Sequence, residues 1–425
     1  MYTMRAPMIR VRVVAIAVAL AVVTACFGPQ TSNDYYDRGV ARLKDGDYKG
    51  AIADFDQAIN IRPKYTDAYT NRADAKIRLG QYEGAIADLG QALRLQPDDA
   101  SAYTSRGFVK NMLGQYEEAV ADFDEALRLR PDNATAYDNR GSAKTSLGQY
   151  EEAIADFDQA LRLRPDDAYT YISRGHAKLE LDQHQEAIDD FDRAIQMRPD
   201  DAYVYSSRGY AKLELDQHQE ALDDFDRAIQ LQPNDAYGYY SRGNVKFELD
   251  QHQEAIADFD RAIRLKPDDS SVYHIRGAAK IELGQFRKAI ADFDRAIRLQ
   301  PDDAYSYSNR GSARMGLGQT EEAVADYSEA IRLQPDNADF YVNRGAARAE
   351  LGQYEEAIAD YDQALRLQPE NAGFYIFRSD AKAELSQHRE ALADLISALE
   401  LAREDGDNDL ITAIEGKIEE LEQDE

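Results

Sequence analysis

Four histidines stand at equivalent points of the chain and are the side chains best suited to metal binding or proton transfer. They are His184, His218, His252 and His388, separated by 34 residues or a multiple of 34. Ligands of one zinc ion lie about 2 Å from the metal, whereas equivalent side chains of packed helices are about 8–10 Å apart. The four histidines therefore cannot share a metal ion, and we interpret them as replacements for the Tyr that is common at this position.

The other patterns that could support catalysis or ligand binding are incomplete. Residues 405–409 (Asp-Gly-Asp-Asn-Asp) resemble the start of a calcium loop, but Leu410 and Gly416 stand where such a loop needs Gly and Glu. The sequence has no glycine-rich phosphate loop and no Ser or Cys nucleophile in a recognised motif. Repeated carboxylate pairs such as Asp98 and Asp99 fit helix caps. We therefore predict no catalytic site, no metal and no cofactor.

The N-terminal residues stand apart from the rest. Residues 1–25 contain three Arg and no acidic residue, and the apolar run that ends at Ala25 is followed by Cys26, the only cysteine. The run is shorter than the roughly 20 residues of a membrane span and is typical of a secretory signal. Residues 23–26 (Val-Thr-Ala-Cys) resemble the bacterial lipoprotein signal, which implies removal of residues 1–25 and lipidation of Cys26. The alternative is an uncleaved anchor with an incidental Cys.

Composition excludes several classes of protein. The chain has 425 residues, with 50 Lys and Arg against 79 Asp and Glu, and a net charge of −29. An acidic disordered tail would not carry 27 Tyr and 14 Phe, and a single Cys excludes a disulfide within the chain. Because a strongly negative surface repels phosphate backbones, we expect no nucleic-acid partner.

Residues recur with a period of 34. Proline follows it from Pro63 to Pro369, ten times without exception, and tyrosine follows it from Tyr35 to Tyr375, eleven times. A period of this length indicates a stacked array of one supersecondary unit. In the third unit, a helix begins after the cap Asp99 and ends at Gly114, and a second amphipathic helix ends before Pro131. One such hairpin cannot bury both faces, so neighbouring hairpins must stack.

The unit resembles the tetratricopeptide repeat. The matching residues of the third unit are Gly107, Gly114, Tyr116, Ala119, Phe123, Ala126 and Pro131. The resemblance implies an all-α superhelical solenoid of eleven helix-turn-helix repeats over residues 32–405, after a tether at 26–31 and before a linker and capping helix at 406–425. The capping helix is predicted from one apolar face, which includes Leu410, Ile414 and Ile418. The Trp usual in the family at the fourth repeat position is always Tyr here.

Charged residues also follow the repeat, with positions counted from Ser32 and again every 34 residues. Positions 7 and 11 are basic in all eleven repeats, position 23 is Asp in all eleven, and position 25 is Asp in eight. These 22 cations could form a ladder that binds an anionic ligand, or they could pair with the 19 carboxylates between the two helices of each repeat. The near balance of charge favours the structural ion-pair network.

The resemblance also implies a concave groove that is lined by the first helices and binds protein or peptide segments. The groove positions of the family fall, in repeats five to eight, on aromatic, apolar and acidic residues. They are Tyr169, Ile172, His176, Tyr203, Tyr210, Tyr237, Tyr240, Asn244, Phe247 and His274, beside the acidic row Glu180, Glu214, Glu248 and Glu282. Such a groove favours basic or aromatic-rich partners.

Two functions remain open. The first is a lipid-anchored extracytoplasmic adaptor that binds protein segments in cell-envelope assembly. Phe27 stands where an Asp would resemble an inner-membrane retention signal, so the resemblance implies the outer membrane, facing the periplasm. The second is a structural, self-associating spacer, which the near-identical repeats five to seven favour. An enzyme ranks below both.

Overall fold

The computed structural model describes residues 31–423, which contain 23 α-helices and no strand. The helices fall into two compact units, of which the first ends at Asp200 and the second begins at Asp201. The first unit contains α1 (Ser32–Lys44), α2 (Tyr48–Ile61), α3 (Thr66–Arg78), α4 (Tyr82–Leu95), α5 (Ala100–Met112), α6 (Tyr116–Leu129), α7 (Ala134–Ser146), α8 (Tyr150–Leu163), α9 (Ala168–Leu179) and α10 (His184–Met197).

The second unit contains six repeats and a final helix. Its helices are α11 (Ala202–Leu213), α12 (His218–Leu231), α13 (Ala236–Glu248), α14 (His252–Leu265), α15 (Ser270–Glu282), α16 (Phe286–Leu299), α17 (Ala304–Met315), α18 (Thr320–Leu333), α19 (Ala338–Glu350), α20 (Tyr354–Leu367), α21 (Ala372–Glu384), α22 (His388–Asp405) and α23 (Asn408–Gln423). Up to α22, odd-numbered helices are the first and even-numbered helices the second of each repeat.

In nine of the eleven repeats, a buried Phe or Tyr ring of the second helix lies against a glycine of the first helix; repeats two and eleven have Leu89 and Leu395 in place of the ring. In the third repeat Phe123 of α6 is fully buried, between Ala119 and Ala126. A Cβ on Gly107 of α5 would lie 2.8 Å from that ring, so only glycine allows this close approach. Within each unit the second helix then packs on the first helix of the next repeat, so the core is a row of small clusters.

The helices begin and end at the predicted cap residues, with one difference. The Asp99 side chain accepts hydrogen bonds from the backbone N–H groups of Ser101 and Ala102, at 2.9 and 3.1 Å, as expected of an N-cap. The first helix of most repeats ends at a glycine in the left-handed region, such as Gly114 with φ 73°. In four repeats a residue other than glycine takes this conformation. These residues are Asp182, Asp216, Asp250 and Ser386, with φ of 56–57°.

The last helix covers the end of the second unit. Ile414 of α23 is fully buried against Leu395 and Leu399 of α22. Lys417 Nζ of α23 lies 2.6 Å from Asp380 Oδ1 of α21. The predicted fold class, an all-α array of eleven repeats with a capping helix, is confirmed.

The predicted signal segment and Cys26 lie outside the described residues. Among the residues that the structure does describe, no helix combines the length and the apolarity that a membrane span requires.

Candidate functional site

The repeated charges form ion pairs between the two helices of each repeat. In the seventh repeat Arg242 forks onto Asp258, with Nε to Oδ2 at 2.9 Å and Nη2 to Oδ1 at 2.5 Å. Lys246 Nζ donates to the same Oδ2 at 2.7 Å, and Asp258 is only 5% exposed. Two cations on one buried aspartate recur in all eleven repeats. The carboxylates are Asp54, Asp88, Asp122, Asp156, Asp190, Asp224, Asp258, Asp292, Asp326, Asp360 and Asp394.

The arginine of this triad also connects neighbouring repeats. Arg242 Nη1 donates to Asp226 Oδ1 of the preceding repeat at 2.5 Å. The same bond is made by Arg140, Arg174, Arg276, Arg310 and Arg378, each to the Asp at position 25 of the preceding repeat. The structural ion-pair interpretation is therefore confirmed, and the anion-binding ladder is wrong.

In the third repeat, hydrogen bonds to the buried aspartate favour the charged form of the arginine. The bonds to Asp122 raise the pKa of Arg106 above its ordinary value, against the opposing effect of burial. The Arg side chain of each triad also lies over the Tyr at position 4, as Arg242 does over Tyr239 at 5.7 Å. The Tyr239 hydroxyl donates to the Pro233 carbonyl at 3.4 Å. Tyrosine thus fills the place of the family's Trp and ties the ion pairs to the loop between repeats.

An aromatic and acidic cleft of about 600 Å³ lies in the second unit. Its walls come from α11 and α13, and α12 contributes His218 and Phe225. The lining residues are Tyr210, Leu213, Glu214, Asp216, His218, Phe225, Tyr237, Tyr240, Ser241, Asn244 and Glu248. Six of these were predicted as groove residues: Tyr210, Glu214, Tyr237, Tyr240, Asn244 and Glu248. We name this site the acidic cleft; the described residues that line it include three carboxylates and no Lys or Arg.

Two exposed tyrosines line the acidic cleft. Tyr237 is 53% and Tyr210 46% exposed. The Tyr237 and Tyr240 rings have centroids 6.5 Å apart and are tilted by 40°. The same cleft thus holds aromatic rings and the carboxylates of Glu214 and Glu248, both of which attract cations. The geometry suits a guanidinium or ammonium group.

One of the four repeated histidines lines the acidic cleft. His218 Nε2 lies 4.0 Å from Asp216 Oδ1, and its Nδ1 lies 3.8 Å from Glu248 Oε2 of the next repeat. His184 and His252 stand equally close to Asp182 and Asp250, at 3.8 and 3.7 Å. Each of these three histidines thus follows a left-handed aspartate by two residues, whereas His388 follows the left-handed Ser386. Among the described residues, no group of three or more His, Cys, Asp or Glu could hold a metal ion.

The other predicted groove residues of the first unit have different environments. Tyr169 is 64% exposed, and the guanidinium of Arg198 lies 4.2 Å from its ring centroid. Glu180 is exposed, and its charge and hydrogen bond raise the pKa of the Tyr150 hydroxyl. His176 is half-buried with its ring edge on Phe191, and burial lowers the pKa of His176.

Ile172 was predicted to line the groove, and this is wrong. It is only 7% exposed and belongs to the core. Position 5 of the repeat faces the neighbouring helices rather than solvent when it carries an aliphatic side chain, whereas position 2 stays outside. The prediction failed because it treated the two positions alike.

In the second unit, four further predicted residues lie outside the acidic cleft. Tyr203 is 57% exposed, and Glu282 is exposed. Phe247 is half-buried with its ring centroid 5.3 Å from that of His252. His274 is engaged by the next repeat, with Nδ1 2.8 Å from Ser306 Oγ. The predicted row is therefore divided into one cleft and separate side chains.

A second cleft, of about 670 Å³, was missed by the sequence reasoning. It lies in the first unit, between α3, α5 and α7. Phe108 and Met112 line it and are 40% and 50% exposed. Asp138 faces the same space, accepts a hydrogen bond from Thr170 Oγ1 at 2.8 Å, and has a pKa raised by burial. The available signal was Phe and Met at positions 9 and 13 of the third repeat, which hold mostly polar or small residues elsewhere.

Sequence models of the tetratricopeptide repeat family match the chain without a gap from residue 39 to residue 371. The matches cover residues 39–80, 73–114, 98–166, 132–200, 172–236, 208–280, 277–318, 311–352 and 338–371. The chain therefore belongs to the tetratricopeptide repeat family and is an all-α repeat solenoid. This family consists of protein–protein interaction scaffolds that are typically non-catalytic. A model of anaphase-promoting complex subunit 5 matches residues 374–425.

Solved structures of other repeat proteins are similar to this chain. Yeast Tom70 is 17% identical, with 92% of this chain and 96% of that chain covered and a TM-score of 0.43. The APC/C hetero-tetramer Cut9–Hcn1 is 15% identical, with 95% of this chain and 98% of that chain covered and a TM-score of 0.48. YrrB, a TPR protein with an unusual peptide-binding site, is 25% identical, with 45% of this chain and 97% of that chain covered and a TM-score of 0.40. The comparison with curated proteins gives no match.

Proposed function

We propose that this protein is a membrane-tethered extracytoplasmic adaptor that binds basic, aromatic-containing protein segments and serves cell-envelope assembly. The acidic cleft is the observation that carries the proposal. Its three carboxylates and its tyrosine faces complement an Arg or Lys side chain next to an aromatic or apolar one. The proposal thus adds to the family's role as an interaction scaffold a preference for basic side chains next to aromatic or apolar ones.

The preference is tested with the full chain and a labelled decapeptide that carries two Arg and one Phe in a Gly-Ser background. Glu214→Gln with Glu248→Gln removes two charges from the acidic cleft, and we expect at least a tenfold loss of affinity. The matched control is Glu321→Gln with Glu322→Gln, which removes two exposed charges from α18. An equal loss in both variants would show that net charge, not the cleft, attracts the peptide.

The tether rests on Cys26, which follows the apolar run and is the only cysteine. We expect the protein to take up a palmitate analogue in a bacterial host and Cys26→Ser to abolish the label. A wild-type protein without label refutes the anchor and leaves the cleft proposal standing. Outer-membrane attachment facing the periplasm is tested by fractionation of the labelled protein.

The structural alternative, a self-associating spacer, is favoured by the near-identical repeats five to seven. It makes a different prediction for a crosslinked pull-down from envelope extract. The adaptor recovers a partner whose yield falls in the Glu214→Gln, Glu248→Gln variant. Recovery of only the chain itself would support the spacer instead.

A further inference from the structure

The solvent face of α16 is basic in a chain that is otherwise strongly acidic. Arg287, Lys288, Arg295 and Arg298 lie within an arc of about 100° on this helix, because successive residues are rotated by about 100°. Ala291 is the remaining residue of that arc, so the arc carries no carboxylate. Arg287, Lys288 and Arg298 are exposed, whereas Arg295 is half-buried with its guanidinium 5.8 Å from the centroid of a Tyr ring.

Two of these charges lie where the helix dipole disfavours a cation. Arg287 and Lys288 stand in the first turn of α16, where the helix dipole favours acidic side chains, and this turn contains none. The same two positions are Glu-Glu in α6, α8, α18 and α20. Charges that weaken their own helix without a compensating contact are expected at functional surfaces.

No carboxylate of the described residues forms a salt bridge with either side chain. Lys288 Nζ donates to Gln285 Oε1 at 2.9 Å, and Arg287 projects into solvent. The next repeat also lacks the Glu found at position 13 of repeats five to eight, because Gly316 stands there. A Cβ on Gly316 would lie 2.6 Å from the Phe286 ring, so the packing of Phe286 excludes a carboxylate from this place.

An exposed arginine also lies on α14, the second helix of the preceding repeat. Arg264 occupies the same repeat position as Arg298, is exposed, and follows Arg261 by three residues. In two other repeats the arginine at this position pairs with a carboxylate three residues earlier: Arg128 with Glu125 at 2.5 Å and Arg332 with Glu329 at 2.6 Å. In α14 and α16 both members of the pair are arginine. We name the four exposed residues Arg264, Arg287, Lys288 and Arg298 the basic face.

We propose that the basic face docks an acidic protein segment that presents three or more carboxylates along about 16 Å. The length follows from the eleven-residue separation of Arg287 and Arg298 at about 1.5 Å per residue. Planar guanidinium groups at both ends are suited to bidentate binding of carboxylates.

The neighbours of the basic face favour a narrow protein segment over a membrane or a duplex. On α18, the residues equivalent to Arg287 and Lys288 are Glu321 and Glu322, and Glu329 follows on the same side. A flat or thick polyanion would meet these carboxylates as well as the basic face, and like charges would repel it there. A single helix or extended strand meets the basic face alone.

The test uses the full chain and a labelled 14-residue peptide with Glu at positions 1, 4, 8 and 12 in an Ala-Gln background, together with a twin that has Gln for every Glu. At about 50 mM salt, where charges separated by roughly 10 Å still interact, we expect the Glu peptide to bind. The Gln twin should bind at least tenfold more weakly. Equal binding of the two peptides, or no binding of the Glu peptide, overturns the proposal.

The decisive variant is Arg287→Glu with Lys288→Glu, which installs the Glu-Glu of the other repeats and should keep or raise the melting temperature. We expect it to weaken binding of the Glu peptide at least tenfold. The control is Arg162→Glu with Arg366→Glu, which lowers the net charge equally on α8 and α20 and should change affinity less than threefold. Equal losses in the two variants overturn the proposal. So does tighter binding of phosphatidylglycerol vesicles or of a 20-base-pair DNA duplex than of the Glu peptide.

Discussion

Removal of one ladder carboxylate should destabilise the array far more than removal of a surface acid. In Asp258→Ala, Arg242 and Lys246 lose the oxygen atoms that they approach to 2.5 and 2.7 Å. Their side chains are 20% and 19% exposed, so water reaches them only in part. The variant therefore leaves two poorly solvated cations facing each other across an apolar methyl group.

The magnitude follows from what each cation retains. Removing one partner of a buried ion pair costs about 3–5 kcal/mol when the other charge is left uncompensated. Arg242 still donates to Asp226 at 2.5 Å, and partial exposure screens both cations, so the loss lies near the lower limit. The better helix propensity of Ala returns about 0.5 kcal/mol. We expect a net destabilisation of about 2.5 kcal/mol.

Hydrogen exchange is the more sensitive assay here, because a repeat array does not unfold as one unit and a global midpoint averages the local loss. Hydrogen exchange of the α13 and α14 amides should accelerate by about two orders of magnitude, as 1.4 kcal/mol corresponds to a factor of ten. The control Asp268→Ala removes an exposed loop carboxylate of the same repeat and should change exchange by less than threefold. Equal protection of α14 in the two variants would refute the reasoning.

Two further predictions concern single repeats. Burial, followed by the charges of Asp360 and Asp380, raises the pKa of Tyr361 to about 12, so the folded chain keeps a proton that the unfolded chain loses above pH 10. Stability should therefore fall as pH rises from 10 to 12, by up to about 3 kcal/mol; Tyr361→Phe should show a smaller fall in the urea midpoint between pH 9 and 11, and parallel curves would contradict this. Asp216 has φ 56°, so Asp216→Gly should relieve roughly 0.5–1 kcal/mol of backbone strain and raise the urea midpoint. The reverse change, Gly114→Asp, should lower the midpoint. A lower midpoint in Asp216→Gly would show that the contact of Asp216 with His218 outweighs the strain.

The sequence predicts the features that depend on repeat spacing alone. Arg242 and Lys246 are four residues apart and therefore lie one helical turn from each other, opposite Asp258 on the partner helix. The period of 34 repeats this arrangement along the chain. Charge balance then distinguishes ion pairing from ligand binding without coordinates. Helix caps such as Asp99 are equally local, because the capping oxygen and the N–H groups belong to neighbouring residues.

Exposure in the groove is less predictable, because it depends on how far neighbouring helices approach. Ile172 and Tyr240 share a repeat position, yet Ile172 is 7% exposed while the larger Tyr240 reaches the acidic cleft. The sequence analysis did not predict Phe108 and Met112, because its groove residues come from repeats five to eight and these two residues lie in repeat three. A position-by-position search for apolar residues among polar equivalents would have found them.

What faces a basic side chain decides whether it can meet a partner. Arg276 forks onto Asp292 at 2.9 and 2.5 Å and reaches Asp260 at 2.5 Å. An anion arriving there would have to displace two carboxylates and leave the buried Asp292 uncompensated. Arg287, in the same repeat, is exposed and meets no carboxylate of the described residues, so an incoming carboxylate replaces only water. Every ladder cation already pairs with a buried carboxylate, whereas the basic face remains exposed in a chain of net charge −29.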